Sequence, residues 1–242
     1  MFQLRPLPDD TPVLDQSRLL RAMELTFDFA EKNDGIGLTQ TKAFNRQFAH
    51  WMAEQSPWQE YRAEELLRVN RVLNEWDVPP VMVVHDLVIV MKLGRHVKGR
   101  FRVSKMARGL AARRGAFFSR IAETYLFEYN HARLARSEFT APGNWDIFLN
   151  IINVDAERGL TEADLVKTLY CLEPSKGVYD RDYHDHLGFL RTHVLRPLSW
   201  IGFLAETGDG DRSSDRTYWK TPLWRACLEL STDETVKLPP QH

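Results

Sequence analysis

A chain of 242 residues that sets 32 Lys and Arg against 33 Asp and Glu has a formal net charge of −1. That balance excludes a global electrostatic pull toward nucleic acid or membrane, so any targeting by charge must come from local asymmetry. A hydrophobic content of 43%, with seven Trp and thirteen Phe, is ordinary for a globular protein and enough to build a core. The start of the chain has no apolar signal core. Its longest apolar run, over residues 78–91, is broken by His85 and Asp86 and is too short to span a bilayer. The expectation is a cytoplasmic protein with no membrane partner. Cys171 and Cys227 have mostly apolar neighbours, which predicts two buried, reduced thiols.

Pro6, Pro8, Asp9, Asp10 and Pro12 predict an irregular arm over residues 1–15. Asp15 is a candidate N-cap for a helix over 16–32, where Leu19, Leu20, Met23, Phe27 and Ala30 recur at helical spacing. Asn33-Asp34-Gly35 stops it. A short extended piece, Ile36 to Thr39, precedes a second helix capped by Thr39 or Thr41, with Phe44, Phe48, Trp51 and Met52 on one side. Leu66, Leu67, Val69, Val72 and Leu73 predict a third helix over 63–76. Pro79-Pro80 opens an apolar segment rich in β-branched residues. Its length of about fourteen residues and its Leu93-Gly94 ending favour helix over strand.

Residues 95–97 and 100–103 flank Lys98-Gly99 and predict a tight β-hairpin. Ser104 can cap a helix over 105–114, and a long helix is expected over 116–136. That helix carries Phe117, Ile121, Tyr125 and Leu126 along one side, a candidate surface for a homodimer. Residues 138–143 are the best candidate linker. Helices are expected over 144–158, 162–172 and 182–200, with Pro197 a candidate kink. Gly159-Leu160-Thr161 and residues 201–205 and 217–220 read as short strands, 222–230 as a helix, and 232–242 as a flexible tail.

The expected fold is therefore mainly α with short β-hairpins. It divides into a unit over 16–137 and a second over 144–231. Each half runs helix, short strand, helices, strand, loop, strand, helix. On Gly37-Leu38-Thr39 with the hairpin of Arg95 to Val103, and on Gly159-Leu160-Thr161 with Gly202 to Tyr218, the chain resembles a winged-helix protein with two units in tandem. It is similar to winged-helix proteins carried on bacterial mobile elements. The resemblance implies DNA binding and a regulatory or mobile-element setting.

The most informative stretch is basic. Lys92, Arg95, Lys98, Arg100, Arg102, Lys105, Arg108, Arg113, Arg114 and Arg120 lie between Asp86 and Glu123 with no acidic residue among them, a local charge of +10 that leaves −11 elsewhere. Arg100 and Arg102 fall on one strand face with Lys98 at the tip, so Arg95, Lys98, Arg100, Arg102, Lys105, Arg108, Arg113 and Arg114 are the candidate phosphate contacts. The ordinary alternative is a solvated face, or one that meets an acidic protein partner. The apolar helix before the hairpin offers almost nothing to read bases, which points to backbone contact of low sequence specificity. In the second half, the 182–200 helix presents His184, Arg191, Thr192, His193 and Arg196, with Arg191 and Arg196 the candidate contacts.

Asp182, His186 and His193 share a helix face, but no second ligand pair with metal-site spacing accompanies them. The Asp209-Gly210-Asp211 stretch lacks the later ligands of a calcium loop. No phosphate-binding glycine loop, nucleophile elbow or dinucleotide fingerprint occurs. The expectation is no metal, no cofactor and no enzyme, with an unrecognised type of enzyme as the third reading after DNA binding and protein interaction.

Overall fold

Ser17, not Asp15, caps the first long helix. Its side chain accepts from the Leu20 N–H, and the Asp15 carboxylate turns away to Arg114 at 2.8 Å. The computed structural model describes residues 2–175, 179–208 and 216–237. They form two units, residues 7–129 and a second made of 2–6 with the chain from Asn130 onward. The first strand, β1 (Phe2–Leu4), belongs to the second unit. The arm expected to be irregular is thus partly ordered. Pro12–Gln16 forms a 3₁₀ turn with Leu14 buried, and Asp9 accepts from the Gly115 N–H at 2.8 Å.

The first unit is built around α1 (Arg18–Lys32), which packs against three later helices and one strand of the same unit. After it come β2 (Ile36–Gly37), α2 (Arg46–Glu54), α3 (Ala63–Leu67), α4 (Pro79–Val90), β3 (Gly94–Val97), β4 (Arg100–Val103), α5 (Lys105–Ala111) and α6 (Arg114–Glu123). Asn45, rather than Thr39 or Thr41, caps α2 by accepting from the Phe48 N–H. The helix expected over 63–76 stops at Leu67. There the Asn70 side chain donates to the Leu66 carbonyl, and Asn74 opens a new capping box with Asp77. Asn competes for backbone groups in this way and favours turns over helix interiors. The apolar 79–90 segment is helical as expected. The three strands order β2-β4-β3, all antiparallel.

The helix expected over 116–136 runs only to Glu123, widens into a π turn over Thr124–Glu128 and ends at Tyr129. Phe117, Ile121, Tyr125 and Leu126 are buried inside the unit, and Phe117 packs on Phe27 at 5.4 Å. That side is core and leaves no surface for a homodimer through it. The unit boundaries also fall earlier than 137 and 144, at Tyr129 and Asn130.

The second unit continues with α7 (Trp145–Asp155), β5 (Leu160–Thr161), α8 (Glu162–Tyr170), α9 (Arg181–Leu190), α10 (Arg196–Ile201), β6 (Leu204–Thr207), β7 (Thr217–Lys220), α11 (Pro222–Cys227), β8 (Leu228–Leu230) and α12 (Asp233–Lys237). A π turn over Arg191–Leu195 joins α9 to α10. Proline has no N–H to give and clashes with the carbonyl four residues back, so a widened turn just before Pro197 lets the helix go on to Ile201. The strands order β5-β7-β6, the same pairing as in the first unit, while β8 pairs with β1. The expected flexible tail begins as a short helix, and residues 238–242 lie outside the described residues. Cys227 is buried as expected, its thiol pushed up to about 12 by burial, but Cys171 is exposed in a left-handed C-cap position. Among the described residues no helix is long and apolar enough to cross a membrane.

The two Gly-Leu-Thr triplets are not equivalent. Ile36 pairs with Phe101 and Leu160 with Tyr218, both partners buried, so Gly35-Ile36-Gly37 corresponds to Gly159-Leu160-Thr161. Gly35 and Gly159 both hold positive φ, 100° and 87°, where a side chain is strained.

Candidate nucleic-acid interface

The hairpin of β3 and β4 turns at Lys98 (φ 48°) and Gly99 (φ 74°), two positive-φ positions that suit the twist of a two-residue hairpin. Directly opposed residues share a sheet face, and the register pairs Arg95 with Arg102, His96 with Phe101 and Val97 with Arg100. One face therefore carries Arg95, Arg100 and Arg102. The other carries Phe101, which is fully buried and meets Phe44 edge-on at 5.7 Å, anchoring the hairpin in the core. His96 shares that inner face, and burial, with the nearby His85 and Lys42, holds its pKa below the ordinary histidine value.

The ten cations of the basic segment separate into two groups. Arg102 pairs with Asp34 at 2.6 Å and Arg108 with Glu31 at 3.8 Å. Arg114 pairs with Asp15 and Glu24, and Arg120 with Glu123 and Glu128. Burial opposes the charge on Arg114, yet its two carboxylates outweigh that and raise its pKa. Among the described residues Arg100 donates only to main-chain carbonyls, those of Asn33 at 2.9 Å and Gly35 at 3.1 Å. It is oriented by them and keeps its charge. Lys92, Arg95, Lys98, Lys105 and Arg113 are exposed, and among the described residues no carboxylate pairs with them. Among the described residues the cations of 92–105, apart from Arg102, thus have no carboxylate partner, while most of the helical cations after them do.

Helix α4 precedes the hairpin and buries Val81, Val83, Val84, Leu87 and Val88. Its polar residues are engaged. His85 Nδ1 lies 2.8 Å from Glu75 Oε2, and Asp86 accepts from the Tyr129 hydroxyl at 3.2 Å. Ile89 and Val90 face outward, 43% and 48% exposed. The helix has no free Arg, Lys, Asn or Gln with which to read a base edge.

In the second unit the structure corrects the role of Arg191. Its guanidinium forms a fork with Glu162, which is 2% exposed and also accepts from the Tyr218 hydroxyl at 3.0 Å. The Glu162 bond raises the Arg191 pKa against the opposing effect of burial, so the pair is a fixed internal ion pair. Arg196 bends back to the Thr192 carbonyl at 3.3 Å. His184 and His186 each turn a ring nitrogen to a backbone carbonyl, of Asp180 and Asp182, and His193 stacks on Phe189. Burial, with Arg196, lowers the His193 pKa. Among the described residues no three of His, Cys, Asp and Glu converge as a metal set. The Asp209-Gly210-Asp211 loop lies outside the described residues.

A pocket of about 500 Å³ lies between the 39–47 segment and residues 74–76, and no pattern in the sequence signals it. Glu75 forms part of its wall, held by the Phe44 N–H and by His85, whose ring stacks on Phe44 at 4.0 Å. A continuous helix over 63–76 would not present Asn74 and Glu75 in this way. The turn at Asn70 to Asn74 does.

Residues 15–116 match the model described as Y4jL N-terminal domain, and residues 135–222 match the model described as y4jL C-terminal domain. Each match falls inside one of the two structural units. An uncharacterised protein of Sinorhizobium fredii (strain NBRC 101917 / NGR234), y4jL, is 38% identical over 165 residues, which covers 68% of this chain and 75% of that protein. No solved structure matches the chain.

Proposed function

The chain belongs to the y4jL family, whose descriptions carry no activity, and from the geometry we propose that it is a DNA-binding protein of winged-helix type that grips the phosphate backbone through the hairpin of its first unit. The observation that carries this reading is the outward hairpin face. Arg95, Arg100 and the tip residue Lys98 keep their charge there, while Phe101 fastens the opposite face in the core. Unpaired guanidinium and ammonium groups on a rigid protrusion suit phosphate oxygens and release counterions on binding. The element order and the β2-β4-β3 and β5-β7-β6 pairings, with the early short strand beside the last one, support the winged-helix assignment in both units. The apolar α4 favours backbone contact over base reading. A regulatory or mobile-element-related role in the cytoplasm fits such binding.

The test is fluorescence anisotropy with a mixed-sequence duplex at low salt. The Arg95→Ala, Lys98→Ala, Arg100→Ala triple variant is expected to weaken binding by about tenfold or more. Arg120→Ala, whose cation already pairs with Glu123 and Glu128, leaves it within about twofold. Undetectable binding by the wild-type chain sinks the proposal. The exposed Ile89 and Val90 favour a second reading, a protein-interaction module that docks an acidic partner on the same hairpin. That reading predicts a complex that survives nuclease and is lost in the triple variant.

A further inference from the structure

The 500 Å³ pocket has none of the basic segment's cations in its lining, and three of its side chains have unused binding capacity. Trp76 stands at its edge 63% exposed, with no aromatic neighbour among the described residues. A large indole left open beside a concavity is a stacking platform for a planar group. Arg46 is exposed and donates from Nε to the Asn74 amide oxygen at 2.8 Å. That bond orients the guanidinium and leaves both terminal nitrogens without a carboxylate among the described residues, a fork suited to a phosphate. Glu75 lines the wall, and among the described residues only its Oε2 has hydrogen-bond partners, the Phe44 N–H and His85. The volume, about 500 Å³, is that of a small-molecule site.

A ligand that satisfies all three must combine a flat ring system, an N–H donor on the ring edge and an anion. We infer that the pocket binds a purine nucleotide. The base stacks on Trp76 and donates from its ring-edge N–H groups to Glu75, and the phosphate meets Arg46. The same chemistry is presented by a free nucleotide and by an unpaired base in a single strand. Nucleotide binding here does not depend on the hairpin binding duplex DNA.

Isothermal titration of the full chain with GMP, guanosine and inorganic phosphate tests it, together with a single-stranded hexanucleotide that contains one guanine. GMP is expected to saturate one site, and guanosine and phosphate to bind at least about tenfold more weakly. Arg46→Ala and Trp76→Ala, both at exposed positions, are each expected to weaken GMP by about tenfold or more with unchanged thermal unfolding. Binding of GMP assigns the site to a free nucleotide. Binding of the hexanucleotide alone, weakened by the same two variants, assigns it to an unpaired base. No heat with either at millimolar concentration, or binding indifferent to both variants, overturns the inference. The hairpin triple variant leaves GMP binding unchanged, which separates failure here from failure of the DNA-binding reading.

Discussion

Arg95 and Arg102 face each other across one hairpin, yet only Arg95 is free to meet a ligand without giving up an ion pair. Apart from Glu123 and Glu128, which pair with Arg120, the carboxylates that divide the basic segment lie far back in the chain: Asp34 is 68 residues before Arg102, and Glu24 is 90 before Arg114. A run of ten cations is visible in the sequence. Except at Arg120, which of them have a counter-charge depends on how α1 packs against the later elements of its unit, and no local pattern encodes that. Arg191 is the sharpest case, since its helical spacing fits a recognition helix and its partner sits 29 residues earlier, at the start of α8. Arg191→Met strands a buried carboxylate, so a loss of about 3–5 kcal/mol is expected from urea denaturation. Combining it with Glu162→Gln restores much of that stability. A single-variant loss under about 1 kcal/mol is the value of an exposed pair and contradicts a buried one.

The elements legible from sequence alone are those with local causes. The 79–90 helix starts at two prolines, and the hairpin turns at Lys98-Gly99, whose backbone preferences act within a few residues. The helices expected over 63–76 and 116–136 prove shorter. Both segments keep helical spacing of apolar residues while Asn70, Asn74 or the end of the unit interrupts the backbone. The identical triplets mislead in register, because the position that matters is a glycine with positive φ before a buried aliphatic residue. Gly99 offers a clean test of the hairpin. A Cβ there would meet nothing within 4 Å, so Gly99→Ala acts only through its φ of 74°. It should destabilise by about 1 kcal/mol, read as a lowered Tm, and loosen the tip that carries Lys98. An unchanged Tm would mean that the turn does not hold this backbone.

At the scale of the chain, two units repeat one order of elements and one strand pairing, and they use it differently. The first leaves its hairpin cations, apart from Arg102, without a carboxylate partner among the described residues. The second locks Arg191 against Glu162 and Tyr218 and ties Lys220 to Asn153 and Glu157, so its corresponding region is fastened into its own fold. The division into halves is legible from the recurrence of elements. The membership of residues 2–6 in the second unit is not, because β1 pairs with β8 across almost the whole sequence. Phosphate contact by the free cations of the first hairpin is read out by the slope of log affinity against log salt concentration for a mixed-sequence duplex, which measures released counterions. The Arg95→Ala, Lys98→Ala, Arg100→Ala variant should flatten that slope by roughly 0.9 for each phosphate no longer neutralised, about 2.7 in all. A slope identical to that of the wild-type chain would contradict such contact.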